Sequence, residues 1–81
     1  MQTEEGQQPL GGLSDLDRKI LELEKRRFKY QGSKEKVMVQ ELGLSPVAYY
    51  QRLNALLDNP QALAQEPALL ARLRRIRQEL A

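Results

Sequence analysis

The run Glu41-Leu42-Gly43-Leu44-Ser45-Pro46, followed by Val47-Ala48-Tyr49-Tyr50-Gln51-Arg52-Leu53, constrains this chain more than any other segment. It reads as a helix stop, a tight bend and a helix restart. Gly43 stands where a first helix must end and the backbone must take a positive φ, a conformation open to glycine and strained for other residues. Leu44 is an apolar plug under the bend. Ser45-Pro46 combines an N-cap with a first-turn proline whose fixed φ suits a new helix. Two helices joined steeply by so short a turn make a helix-turn-helix, which lays its second helix in the major groove of DNA. The same turn also joins helices in small bundles that bind no nucleic acid, so both readings stand at this point.

The motif match is imperfect. A typical helix-turn-helix has a small residue four before the turn glycine, where this chain has Val39, and apolar residues six and nine after it, where this chain has Tyr49 and Arg52. The better apolar stripe runs through Tyr50, Leu53 and Leu57, so it predicts Tyr50 in the core and Tyr49 at its edge, its hydroxyl within reach of a phosphate. The third helix is then rotated, or entered one residue later, than the usual pattern. Ser45, Val47, Ala48, Tyr49, Gln51 and Arg52 form the candidate DNA-contacting set at the turn. Gln51 is chemically suited to an adenine edge and Arg52 to a guanine edge.

Charge adds a second set of candidates. The net charge is only +2, but the cations cluster in Lys25-Arg26-Arg27-Phe28-Lys29 and in Arg72, Arg74, Arg75 and Arg77. The first cluster, with Asp15 and Asp17 near the start of the same helix, also suits a helix macrodipole. Arg72 lies well before the end of its helix, where a dipole explanation fades, so the second cluster is expected to form a solvated face open to an anion. Arg72, Arg74 and Arg75 therefore join Lys34 and Lys36, on the helix before the turn, as candidate phosphate contacts.

Hydrophobic periodicity gives an all-α domain of four to five helices. Ser14 with Asp17 is a variant capping box, opening a helix with Leu16, Ile20, Leu23, Arg27 and Tyr30 on one face, Leu21 and Phe28 on its shoulder, and a stop at Gly32. Ser33 caps a second helix with apolar Val37, Met38 and Leu42. Ser45-Pro46 opens the third, Gln61 to Ala64 forms a short fourth, and Pro67 starts the last. The last helix carries Leu69, Leu73, Ile76 and Leu80 at spacings of 4, 3 and 4, a seam able to close on the core or on a second copy. No strand-length run alternates with period two. The expected core is Ile20, Leu23, Val37, Met38, Leu42, Leu44, Tyr50, Leu53 and Leu57. Residues 1–12 are expected as a disordered tail and 13–81 as the helical domain.

Composition removes most chemistry. The 81 residues include neither cysteine nor histidine, which takes away thiol chemistry, the commonest general base and the commonest neutral metal ligand. Asp15, Asp17, Glu22 and Glu24 sit in a charge-balanced helix that suits solubility better than acid–base work. Gly11-Gly12 leads into no phosphate loop. The expectation is a protein that is not an enzyme, with no cofactor and no metal. No apolar run reaches the roughly 20 residues of a membrane span, and the N-terminus lacks a signal-peptide pattern, so a cytoplasmic location without a membrane partner is expected.

The segments Phe28 to Glu35, Tyr49 to Leu56, Pro60 to Leu63 and Leu70 to Arg75 resemble a small actinobacterial family of unknown function. That family carries an aromatic-Lys-Tyr-x-Gly-x-Lys-Glu stretch, a Tyr-Tyr-x-x-Leu-Asn-x-Leu stretch, a Pro-x-Ala-Leu segment and a Leu-x-Arg-Leu-Arg-Arg helix. Phe28 stands where the family has tryptophan, which keeps the packing. The family looks like the DNA-binding helices of sigma factors and small regulators, and it has no assigned activity to carry over. Two roles follow as expectations. One is a small transcriptional regulator that binds double-stranded DNA through residues 46–57 and grips phosphates with its basic last helix. The alternative is a helical adaptor that binds a protein of the transcription machinery, with homodimerisation through the seam open in either case.

Overall fold

The computed structural model describes residues 12–80, with Leu80 as backbone only. Helix α1 (Asp15–Lys25) begins where its cap dictates. Ser14 Oγ accepts from the Asp17 amide at 3.0 Å, and Asp17 Oδ2 accepts from the Ser14 amide at 3.2 Å, so two otherwise orphaned donors are satisfied reciprocally.

The helix stops at Lys25 rather than at Gly32. Arg26 turns extended, its amide bonding back to the Leu23 carbonyl at 3.0 Å. Its guanidinium then lies 5.2 Å from the Phe28 ring centroid, and Phe28 packs half-buried against the core. Arg27 and Tyr30, expected on the buried stripe, are exposed. Both are amphipathic, and a stripe that ends in such residues fits a surface connection as well as a helix. Gly32 and Ser33 accordingly neither stop nor cap. They lie in the first turn of α2 (Gln31–Leu42), whose N-cap is Tyr30.

At the end of α2 the expected turn is present. Gly43 has φ 68° and ψ 25°, its amide donates to the Val39 carbonyl at 3.1 Å, and the Leu44 amide donates to that of Met38 at 3.1 Å. A Cβ on Gly43 would meet nothing within 4 Å, so the demand for glycine is conformational and not steric. Gly43→Ala is expected to lose about 1–2 kcal/mol of stability, Gly43→Asn less, and Gly43→Val the most, because its branched side chain tolerates this region worst. Thermal melts of the three variants check this, and indistinguishable midpoints would show that the left-handed turn carries no strain.

Helix α3 (Pro46–Leu56) starts with Ser45 Oγ accepting from the Ala48 amide at 3.2 Å and Pro46 in the first turn. Helix α4 (Pro60–Gln65) is slightly longer than expected, with Asn59 Oδ1 accepting from the Gln61 amide at 2.8 Å, and α5 (Pro67–Leu80) follows. The domain is all-α, with five helices and no strand among the described residues. None of these helices is long and apolar enough to cross a membrane.

One core joins all five helices. Ile20, Leu23, Met38, Leu53 and Leu57 are buried as expected, with Val37, Leu42 and Leu44 half-buried against them. Leu13, Leu21, Leu56, Ala62 and Leu70 are also buried. Gly12, placed in the expected tail, belongs to the fold: it takes φ 70° and approaches Gln61 of α4 more closely than a Cβ would allow. The rest of that tail, residues 1–11, lies outside the described residues. The expected α5 seam is only half used. Leu69 is buried and Leu73 packs on the core, but Ile76 is 44% exposed, and the side chain of Leu80 is not among those described. The N-terminal half of α5 therefore supplies its apolar contacts with the core.

Candidate nucleic-acid interface

Helix α3 has two sharply different sides. Tyr49, Leu53 and Leu56, at i, i+4 and i+7, are buried. Val47, Tyr50, Gln51 and Asn54, at i, i+3, i+4 and i+7, lie on the exposed side. Tyr49 and Tyr50 thus exchange the places expected for them, and Tyr49 is unable to reach a phosphate. With Tyr49 inside, the position six after Gly43 is buried, while the position nine after it, Arg52, is exposed.

Polar chemistry explains the exchange. The Tyr49 hydroxyl donates to Glu24 Oε2, with the Ile20 carbonyl 3.4 Å away. Lys34 Nζ lies 2.9 Å from the same Glu24 oxygen, and the Glu24 and Lys34 side chains are only 6% and 17% exposed. Burial, reinforced by the adjoining carboxylate, raises the pKa of the Tyr49 hydroxyl well above the usual tyrosine range. Tyr50 stays outside, its ring edge-on to that of Tyr49 at 5.1 Å, its hydroxyl accepting from Gln31 Nε2 at 2.8 Å. Glu24 is therefore the shared partner of α1, α2 and α3, not a solubilising charge. A signal existed in the sequence: Glu24 lies four residues after Ile20 and three after Leu21, on the apolar side of α1.

The cations divide by what already holds them. Lys34 is committed to Glu24. Arg72 Nη2 donates to the Glu24 main-chain carbonyl at 3.3 Å, satisfying a helix-end acceptor and tying α5 to α1. Arg77 bonds Asn54 Oδ1 at 2.9 Å and Asp58 at 3.2 Å, and its guanidinium lowers the Asp58 pKa. Lys25 bridges Glu22 at 2.8 Å and Glu66 at 2.6 Å, which raises its pKa. The expected arginine face of α5 is thus partly internal stitching. Lys36, Arg52 and Arg75 are exposed and make no hydrogen bond or ion pair from their side chains to other described residues. Arg74 is half-buried and near Asp58. Lys36 and Pro46 line one shallow groove with Glu35, Val39 and Gln40, which sets Lys36 beside the start of α3.

Ser45 and Ala48 are used in capping, Ala48 half-buried. Among the sequence-expected contacts, Val47, Gln51 and Arg52 are exposed along α3, and Lys36 lies beside its start. Among the described residues, no group of three or more acidic side chains is placed to hold a metal ion.

A family model described as "Protein of unknown function (DUF3263)" matches residues 12–81. No curated protein and no solved structure matches the chain.

Proposed function

We propose, for a chain that belongs to the DUF3263 family of unknown function, that it binds double-stranded DNA as a small helix-turn-helix regulator, with α3 as the helix that enters the major groove. The observation that carries this is the outer side of α3. The helix has 11 residues, PVAYYQRLNAL, with no carboxylate and one cation, Arg52. It follows a tight Gly43 turn and keeps Val47, Gln51 and Arg52 exposed. A phosphate-lined groove repels carboxylates and accepts such a surface.

Arg77 joins α5 to Asn54, at the far end of that outer strip. Arg74, on the same side of α5 as Arg77 and near Asp58, then lies by the end of α3, Arg75 is exposed on the other side of α5, and both are assigned to the DNA backbone, while Arg52 faces bases. The test is duplex binding measured across a salt series. Arg74→Ala with Arg75→Ala is expected to weaken binding to all duplexes alike and to flatten the slope of log K against log salt by about 1 to 2, whereas Arg52→Ala changes preference between duplexes. Failure of the intact chain to bind any duplex at low salt, with tight salt-independent capture of a protein of the transcription machinery, overturns the DNA role in favour of the adaptor.

A further inference from the structure

Three amide side chains lie at the outer side of α3, and two are already committed. Gln31 Nε2 donates to the Tyr50 hydroxyl at 2.8 Å, and Asn54 Oδ1 accepts from Arg77 at 2.9 Å. Gln51 makes no side-chain hydrogen bond to other described residues and is exposed, so it alone keeps both amide oxygen and amide nitrogen for a ligand. That pair of atoms matches the N6 donor and N7 acceptor that adenine presents in the major groove. One turn earlier on the same side stands Val47, 68% exposed, although a branched aliphatic gains nothing from water at that position. Its two methyl groups match the one apolar group that the major groove offers, the C5-methyl of thymine.

We propose that Val47 and Gln51 together make α3 a reader of an A·T-containing step, Gln51 bonding adenine and Val47 packing on a thymine methyl within about two base pairs. The spacing follows from the four-residue step from one to the other, about 6 Å along the helix, against about 3.4 Å per base pair. The Tyr50 hydroxyl, held by Gln31, is not available to a base, and Arg52 lies about 100° round the helix from Gln51, so neither substitutes for the pair. This inference rests on the DNA-binding role proposed above and names what that site prefers.

The experiment is selection of preferred duplexes from a random library with the full chain, followed by titration of single-atom analogues of the selected site. Replacing the contacted thymine by uracil removes only the methyl group and is expected to weaken binding about fourfold, the worth of one buried methyl group. Replacing the contacted adenine by 7-deazaadenine removes only N7 and is expected to weaken it about tenfold. Val47→Ala should lose the thymine–uracil difference while keeping the adenine effect, and Gln51→Ala the reverse. Both positions are exposed, and unchanged melting temperatures confirm that the variants fold. A selected site without an adenine and thymine so spaced, or Val47→Ala still distinguishing thymine from uracil, overturns the inference. Salt-dependent binding that is equal for all duplexes overturns it while leaving the DNA role intact, and absence of all duplex binding overturns both.

Discussion

Tyr49→Ala is expected to unfold most of the protein, while Tyr50→Ala leaves it folded. Tyr49 is fully buried and Tyr50 39% exposed, and deletion of a buried aromatic ring costs about 3–5 kcal/mol. A domain of this size has a total stability near the lower end of the usual 5–15 kcal/mol, so little is left. Tyr50→Ala removes one exposed hydrogen bond and an edge-on ring contact and is expected to cost about 1 kcal/mol or less. Urea denaturation of the two variants decides the matter, and the opposite ranking would show that the second tyrosine, not the first, supports the core.

The next largest effect is expected at Lys34. Lys34→Met leaves the Glu24 carboxylate 6% exposed with no cation beside it. Breaking a buried pair from one side typically costs about 3–5 kcal/mol, and residual water around the partly accessible Lys34 reduces this somewhat. Replacing the polar cluster together, as Lys34→Met, Glu24→Leu and Tyr49→Phe, leaves no orphaned group and is expected to recover most of the loss. The check is the unfolding free energy at pH 7 of the single and triple variants. A single variant as stable as the parent would mean that Glu24 does not depend on Lys34.

What local chemistry could dictate was readable in the chain. The Ser14–Asp17 box, the Gly43 turn and the Ser45-Pro46 restart each act through their own few residues, and each appears where it was expected. The misreadings share another cause. Arg27 and Tyr30 continue a helical spacing, but the decision to stop at Lys25 is made by Phe28 folding back onto a core built by other helices. Tyr49 and Tyr50 differ by one position, and period alone favoured the outer one. The choice rests on a carboxylate and an ammonium brought in from α1 and α2. Arginines on α5 looked like a free face because their acceptors, the Glu24 carbonyl and the Asn54 amide, are distant in sequence. At the candidate interface, Gln51 and Arg52 were nameable from residue type. That Gln31 and Asn54 are occupied, and so set Gln51 apart, needed the fold.

The ties that converge on Glu24 also differ in how much chain each must close. The Tyr49 hydroxyl reaches it across 25 residues and the Arg72 guanidinium across 48, a near doubling that adds about 0.6 kcal/mol of closure entropy. Closure cost is thus graded by loop: the Gly43 bend spans a few residues, the α1–α3 tie 25 and the α5–α1 tie 48. Helical domains assembled from such progressively longer closures belong to the fast-folding class. In this one, the bend that aims α3 is the least costly closure, and the tie from Arg72 to α1 the most costly.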